Sequence, residues 1–250
     1  MRALFHEILY RPLFNALVFL YEHVTFADLG IAIILLTLII RGVLYPLFYR
    51  SLKHQSLLQR IQPQVKKIQE THRDNKEQQA QALLALYREH RVNPFSGFLL
   101  ILIQLPILIA LYNVFLNGFS PDAFTDLYTG FTAPETLNHI SFGLIDLTER
   151  NILIVALAAG AQYLQAKLAL QKRKPAGGVA SPAERMANQM VFIGPVLTVV
   201  ILYNLPAAIG LYWLTTSLFS VMQQALVERS LNKGKLGETK NHDGGISKTA

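Results

Sequence analysis

Arg41 follows twelve apolar or small residues and precedes Gly42, Val43, Leu44 and Tyr45. A guanidinium cannot shed its charge by losing a proton, and an arginine at the centre of a membrane span costs about 2.5 to 3.5 kcal/mol on insertion scales. Such a group needs water, a partner or a substrate. The chemistry it offers is non-covalent: a charge-assisted, two-pronged contact to a carboxylate where solvent screens weakly. Snorkelling to the headgroups is the simpler alternative, but Tyr49 and Arg50 place that border about eight residues away, or about 12 Å of helix. The apolar runs hold no Asp or Glu other than Asp28, Glu149 and Glu228 at their borders. Their polarity is uncharged: Thr37, Gln104, Asn113, Gln162, Gln165, Ser217, Ser220, Gln223 and Gln224. Thr37, Arg41 and Tyr45 share a helix face, as do Trp213, Ser217, Ser220 and Gln224. Such faces suit a wetted cavity or ordinary contacts between helices, each worth about 0.6 kcal/mol in a membrane. Motifs for covalent work are missing: no Gly-x-Ser-x-Gly, no His-Glu-x-x-His, no phosphate-binding glycine loop and no pair of intramembrane aspartates. The expectation is a protein that is not an enzyme, with no catalytic residue, no cofactor and no metal.

The elements that must carry these residues are membrane spans. The chain is 52% hydrophobic and 16% charged, with a formal net charge of +7 and no cysteine. Its charges are clustered, which is the pattern of a chain solvated partly by lipid. Apolar runs long enough for about 30 Å of hydrocarbon lie near 28–49, 95–117, 150–170, 188–204 and 207–227. The segment 50–94 is rich in lysine and arginine, whereas 118–149 has none and carries Asp122, Asp126, Glu135, Asp146 and Glu149. Basic short loops stay inside, so the first loop is cytoplasmic, the second external, and the C-terminus cytoplasmic. No cleavable leader is expected, because Arg2, Glu7, Arg11 and Glu22 interrupt the first apolar stretch.

The predicted fold is an all-α, polytopic membrane protein with five transmembrane helices, a cytoplasmic helical hairpin and an N-terminal interfacial amphipathic helix. Residues 1–27 form the external interfacial segment, with a sixth span as the alternative. Residues 28–50 are the first transmembrane helix, 51–93 the hairpin, 94–232 transmembrane helices two to five, and 233–250 a disordered cytoplasmic tail. Within the hairpin, Leu58, Ile61, Val65 and Ile68 recur at helical spacing, Asp74 or Asn75 caps the second arm, and Pro63 marks a start or break in the first. Residues 171–187, with Pro175, Gly177, Gly178 and Pro182, read as a flexible loop.

Five motifs resemble, in order and topology, those of the YidC family of membrane protein insertases. They are Arg41-Gly42-Val43-Leu44-Tyr45-Pro46-Leu47; Gln62-Pro63 with Lys66; Ala85-Leu86-Tyr87 before Val92-Asn93-Pro94; Gln104-Leu105-Pro106-Ile107 with Ala110-Leu111-Tyr112; and Gly210-Leu211-Tyr212-Trp213 with Gln223-Gln224. The resemblance covers residues 10 to 232. It implies a groove open to the cytoplasm and lipid, centred on Arg41, with Thr37, Gln165 and Trp213 lining it and Gln104 and Ser217 nearby. Aligning Tyr163-Leu164-Gln165-Ala166-Lys167 leaves Gln162 as the alternative to Gln165. The implied partners are nascent membrane proteins and the phospholipid bilayer, with the Sec translocon, the signal recognition particle receptor and the ribosome as candidates and no direct nucleic-acid specificity. The implied location is the bacterial cytoplasmic (inner) membrane. The chain departs from many relatives in lacking a large external domain and a lipid-modified cysteine, and its mildly basic tail argues against strong ribosome docking. A structural assembly scaffold and a small-solute transporter are the rival readings.

Overall fold

The computed structural model describes residues 2–117, 121–131, 133–134, 138–170 and 182–243. The N-terminal helical stretch comprises α1 (Arg2–Phe5), a π-helical turn at His6–Tyr10 and α2 (Arg11–His23). Pro12 lies just past the π-helical turn; it has no N–H to continue the ladder of the helix before it, so the widened turn and the proline fall together. Tyr10, Phe14, Leu17, Val18 and Tyr21 recur at steps of three and four and are buried, which lays one face of α2 against α3 (Leu29–Val43). The stretch Ala3–His23 is also long and apolar enough to cross a membrane, so its length does not distinguish an interfacial helix from a sixth span.

α3 ends at Val43, and α4 (Tyr45–Arg60) starts afresh after Leu44. The reason is Pro46, which has no N–H to give the Gly42 carbonyl and whose ring crowds that carbonyl. The segment 28–50, expected as the first transmembrane helix, is thus carried by α3 and the start of α4, with a break at Leu44. Beyond it come α5 (Gln62–Thr71), α6 (Lys76–Glu89), α7 (Ser96–Asn117), α8 (Ile152–Leu170), α9 (Pro182–Leu202) and α10 (Ala207–Asp243). Among the described residues, Ala3–His23 alone passes a length-and-hydropathy criterion for a span, and α3 with α4 passes as a broken pair. Leu102–Leu116, Ile152–Leu168 and Val191–Leu202 are shorter apolar stretches.

Two further expectations are revised. The tail predicted to be disordered from 233 continues α10 as far as Asp243; Lys233, Lys235, Leu236, Glu238 and Lys240 are good helix formers, and Gly234 and Gly237 cost about 1 kcal/mol each without forcing a stop. Residues 182–187, expected in a loop, begin α9; Pro182 opens this helix at the one place where proline is favoured. Residues 171–181 of that loop and 244–250 of the tail lie outside the described residues. A two-stranded antiparallel ribbon, β1 (Ile140–Ser141) and β2 (Ile145–Asp146), interrupts the otherwise helical fold. The Thr148 hydroxyl and amide donate to Asp146 at 2.6 and 2.8 Å, which holds its carboxyl below the usual range.

The chain divides into two compact units: Met1–Leu44 with Ile103–Met222, and Tyr45–Leu102 with Gln223–Ala250. In the second, α5 and α6 form an antiparallel hairpin around Ile61, Val65, Leu86 and Val92. Gln64 pairs with His90 at 3.0 Å, and Gln79 donates to the Gln69 carbonyl at 2.9 Å. Asn75 caps α6 by accepting from the Gln78 amide at 3.0 Å, and Pro63 sits in the first turn of α5. α10 meets α4 through Gln224, which donates to Ser56 at 3.2 Å, and one turn on through Glu228 and Arg60 at 3.6 Å.

In the first unit the connection between α7 and α8 is pinned by side chains from α2 and α3. Asn15 donates to the Arg11 and Asp126 carbonyls at 2.8 and 3.0 Å and accepts from the Tyr128 amide at 2.7 Å. Asn15→Leu keeps the volume and abandons a buried amide donor, a loss of about 1 to 3 kcal/mol. The expected result is a clear fall in melting temperature in detergent; an unchanged melt would mean that Asn15 is not a structural lock. Asp28 caps α3 through the Ile31 amide at 3.0 Å and also receives the Ser141 hydroxyl and the Phe142 amide, both at 2.7 Å. Gly30 lies under Ser141, where an added Cβ would come within 1.9 Å of the Ser141 oxygen.

Candidate functional site

Arg41 is 5% exposed, on the last turn of α3. Its Nη2 donates a long hydrogen bond, 3.5 Å, to the Thr216 carbonyl of α10. That carbonyl also receives the Ser220 hydroxyl at 2.9 Å. Thr37, one turn earlier on α3, is buried, and its hydroxyl turns back to the Ile33 carbonyl at 2.6 Å. Both sequence-predicted residues are thus covered, and Thr37 spends its donor on its own helix. Ser217 is also buried on α10.

Two polar clusters branch from consecutive residues of α10. Tyr212, buried and in electrostatic contact with Arg41, receives a hydrogen bond from the Gln104 amide of α7. Trp213 donates its indole N–H to Gln162 Oε1 of α8 at 3.2 Å. The Thr198 hydroxyl of α9 donates to the same oxygen and reaches back to the Gly194 carbonyl at 3.1 Å. Gly194 leaves room for this glutamine, because a Cβ there would lie 3.3 Å from Gln162 Nε2. Gln162, rather than Gln165, is the glutamine that reaches Trp213; Gln165 is half-buried on α8.

These contacts bring Arg41 and Gln104 together with Tyr212 and the Thr216 carbonyl, and Trp213 together with Gln162 and Thr198 in a separate cluster. Tyr212 stands in the quoted Gly-Leu-Tyr-Trp motif, and its hydroxyl was the available signal. Thr198 gave none beyond a lone hydroxyl in an apolar run, and Thr216 acts through its backbone, which no residue type announces. Trp213→Phe keeps the aromatic body and removes the indole donor. The expected stability loss is below about 1 kcal/mol, read as a small melting shift, and a collapse of the fold would contradict this local role. Among the described residues no three His, Asp or Glu side chains gather to hold a metal ion.

Two helices carry exposed apolar faces. On α9, Phe192, Ile193, Val196, Leu197 and Val200 are exposed at helical spacing while Val191, Thr198 and Leu202 are buried. On α7, Leu102, Leu105 and Ile109 are exposed and Ala110, Leu111 and Val114 are buried. Stripes of this size on a water-facing surface would drive association.

A family model described as "60Kd inner membrane protein" matches residues 19–234. The membrane protein insertase YidC of Fusobacterium nucleatum is 32% identical over 200 residues, covering 80% of this chain and 86% of that protein. The membrane protein insertase MisCB of Bacillus subtilis is 34% identical over 250 residues, covering 92% and 82%. The solved structure of an active YidC insertase with its first transmembrane domain resolved aligns with a TM-score of 0.57 and 28% identity, over 85% of this chain and 45% of that one. This chain therefore spans less than half of the solved relative, and the additional length belongs to that protein. The helical fold, the matched family model and the identity to insertases over most of the sequence together mean that the chain belongs to the YidC family of inner membrane proteins.

Proposed function

We propose that this protein is a membrane protein insertase that carries hydrophobic segments and short polar tails of nascent proteins from the cytoplasm into the bilayer. The transfer needs no covalent step. Passage of a polar tail through about 30 Å of hydrocarbon is slow because its backbone and charges lose water. A polar groove centred on Arg41 and reaching partway from the cytoplasm shortens the dry path. In it, Thr37, Gln104, Ser217, Trp213 and Gln162 surround the arriving chain, with Gln165 one turn along from Gln162, while apolar segments slide along the exposed stripes of α7 and α9.

The observation that carries this reading is the Arg41 guanidinium on the Thr216 backbone carbonyl. A peptide carbonyl or carboxylate of an incoming chain presents the same acceptor chemistry with equal or greater charge, so it can replace that contact. Because Arg41 is covered, engagement requires α10 residues to give way. The accompanying topology has five spans, an external N-terminus, a cytoplasmic hairpin and a cytoplasmic C-terminus. The Sec translocon, the signal recognition particle receptor and the ribosome are the partners this function would draw on.

A photoreactive residue in place of Ser217, in full-length protein with ribosome-stalled chains of increasing length, tests the proposal. The expected result is crosslinking that appears as the first apolar segment emerges and fades once it has entered lipid. Absence of crosslinks at every length would overturn the groove reading. Solute flux through the same vesicles without nascent chain would instead favour a transporter.

A further inference from the structure

We infer that the tip of the β1–β2 ribbon and the loop before α3 form a lipid anchor that seats this end of α3 in the outer leaflet. Phe26 is 97% exposed and Leu144 is 87% exposed, and Phe142 beside Leu144 is exposed as well. Phe26, Ala27 and Phe142 have φ of 53°, 60° and 53°, the left-handed region that non-glycine residues rarely occupy. Strain of this kind persists only where the surroundings enforce it, and here the Asp28 carboxylate holds the Phe142 side while a backbone bond holds the Phe26–Ala27 side. The Asp28 carboxylate caps α3 through Ile31 and holds the Phe142 amide at 2.7 Å and the Ser141 hydroxyl at 2.7 Å. The chain before Asp28 is fastened by the Ala27 amide to the Tyr21 carbonyl at 3.2 Å. Two aromatic rings and a leucine are thus held outward around the residue that begins an apolar helix.

A membrane border is where aromatic side chains are enriched, with their rings at headgroup level. Asp28 marks that border because α3 is apolar from Leu29 to Ile40. The occupant of the patch is accordingly the interfacial layer of phospholipid. The consequence concerns Arg41, which follows Asp28 by thirteen residues on a rigid helix, about 20 Å along its axis. Fixing the start of α3 fixes the depth at which the guanidinium waits. The inference rests on the external location of this connection, given above as part of the proposed topology.

The absence of cysteine permits single labelling of the full chain in vesicles of phosphatidylethanolamine and phosphatidylglycerol. Nitroxides are attached to Leu144→Cys and, as an aqueous reference in the same connection, to Ala133→Cys. The label at 144 is expected to collide more with oxygen than with a water-soluble nickel chelate, and the label at 133 the reverse. Equal behaviour at both positions overturns the anchor, as does protection of 144 from both reagents, which would put a protein there. Reaction of Ala133→Cys with an impermeant maleimide in intact cells reads the topology by itself. Failure of that reaction overturns the topology, whereas a water-exposed label at 144 with the reaction intact overturns the anchor alone.

Discussion

Arg41→Ala is expected to lower insertion of a single-span substrate with an acidic tail by about 10- to 100-fold in reconstituted vesicles. The magnitude follows from a hydrogen bond to a charged group, worth about 1.5 to 3 kcal/mol, at about 1.4 kcal/mol per factor of ten. A substrate whose tail is short and uncharged should lose far less, because its transfer draws mainly on the apolar stripes. Arg41→Lys separates charge from shape: the ammonium remains a cation but cannot form the planar fork, so partial activity is expected. The variant must first be compared with the parent by melting in detergent, since truncation leaves a space beneath Thr216. Equal insertion of the acidic-tailed substrate by a well-folded Arg41→Ala protein would sink the groove mechanism and favour a structural scaffold.

The second large effect is structural. Gly30→Ala should destabilise the protein by about 3 kcal/mol, the upper part of the range for overpacking. The new methyl would stand 1.9 Å from Ser141 Oγ and 2.6 Å from Ser141 Cβ. Ser141 is fully buried and its hydroxyl is engaged by Asp28, so it cannot swing aside without giving up that bond. Combining Gly30→Ala with Ser141→Gly removes both clashing atoms and should restore most of the melting temperature, less the lost hydroxyl contact. If Gly30→Ala alone melts like the parent, the close approach of β1 to α3 is not as tight as these distances require.

The sequence reveals the helices unevenly, and the reason is physical. The local signals around α5 and α6 were legible in part: Val65 and Ile68 of α5 continue a helical spacing that Leu58 of α4 and Ile61 before α5 begin, so the repeat did not reveal the break between the two helices, and Asn75 is a cap by residue type. The positions of α7, α8 and α10 followed from their apolar runs, and the tight turn at Asn204, Leu205 and Pro206 separates α9 from α10. The break at Leu44 was signalled by Pro46, yet proline inside an apolar run bends some helices and ends others, and hydropathy cannot tell which. The ribbon at 140–146 was not legible, because two-residue strands carry no periodicity and depend on Asp28, more than a hundred residues away. In the site, Arg41 declared itself through the cost of its charge, and Trp213 and Gln104 through their motifs. The choice between Gln162 and Gln165 depends on which side of α8 faces α9 and α10, a tertiary fact. Thr216 contributes only a carbonyl, which every residue possesses.

The Thr216 carbonyl is oversubscribed. It has two lone pairs, the backbone ladder of α10 already claims it, and the Ser220 hydroxyl takes it at 2.9 Å while Arg41 stands off at 3.5 Å. The guanidinium is the last in the queue, so surrendering this bond to a newcomer leaves the oxygen well served. In the proposed groove, a carbonyl that loses little when Arg41 turns away is the acceptor an arriving chain could displace.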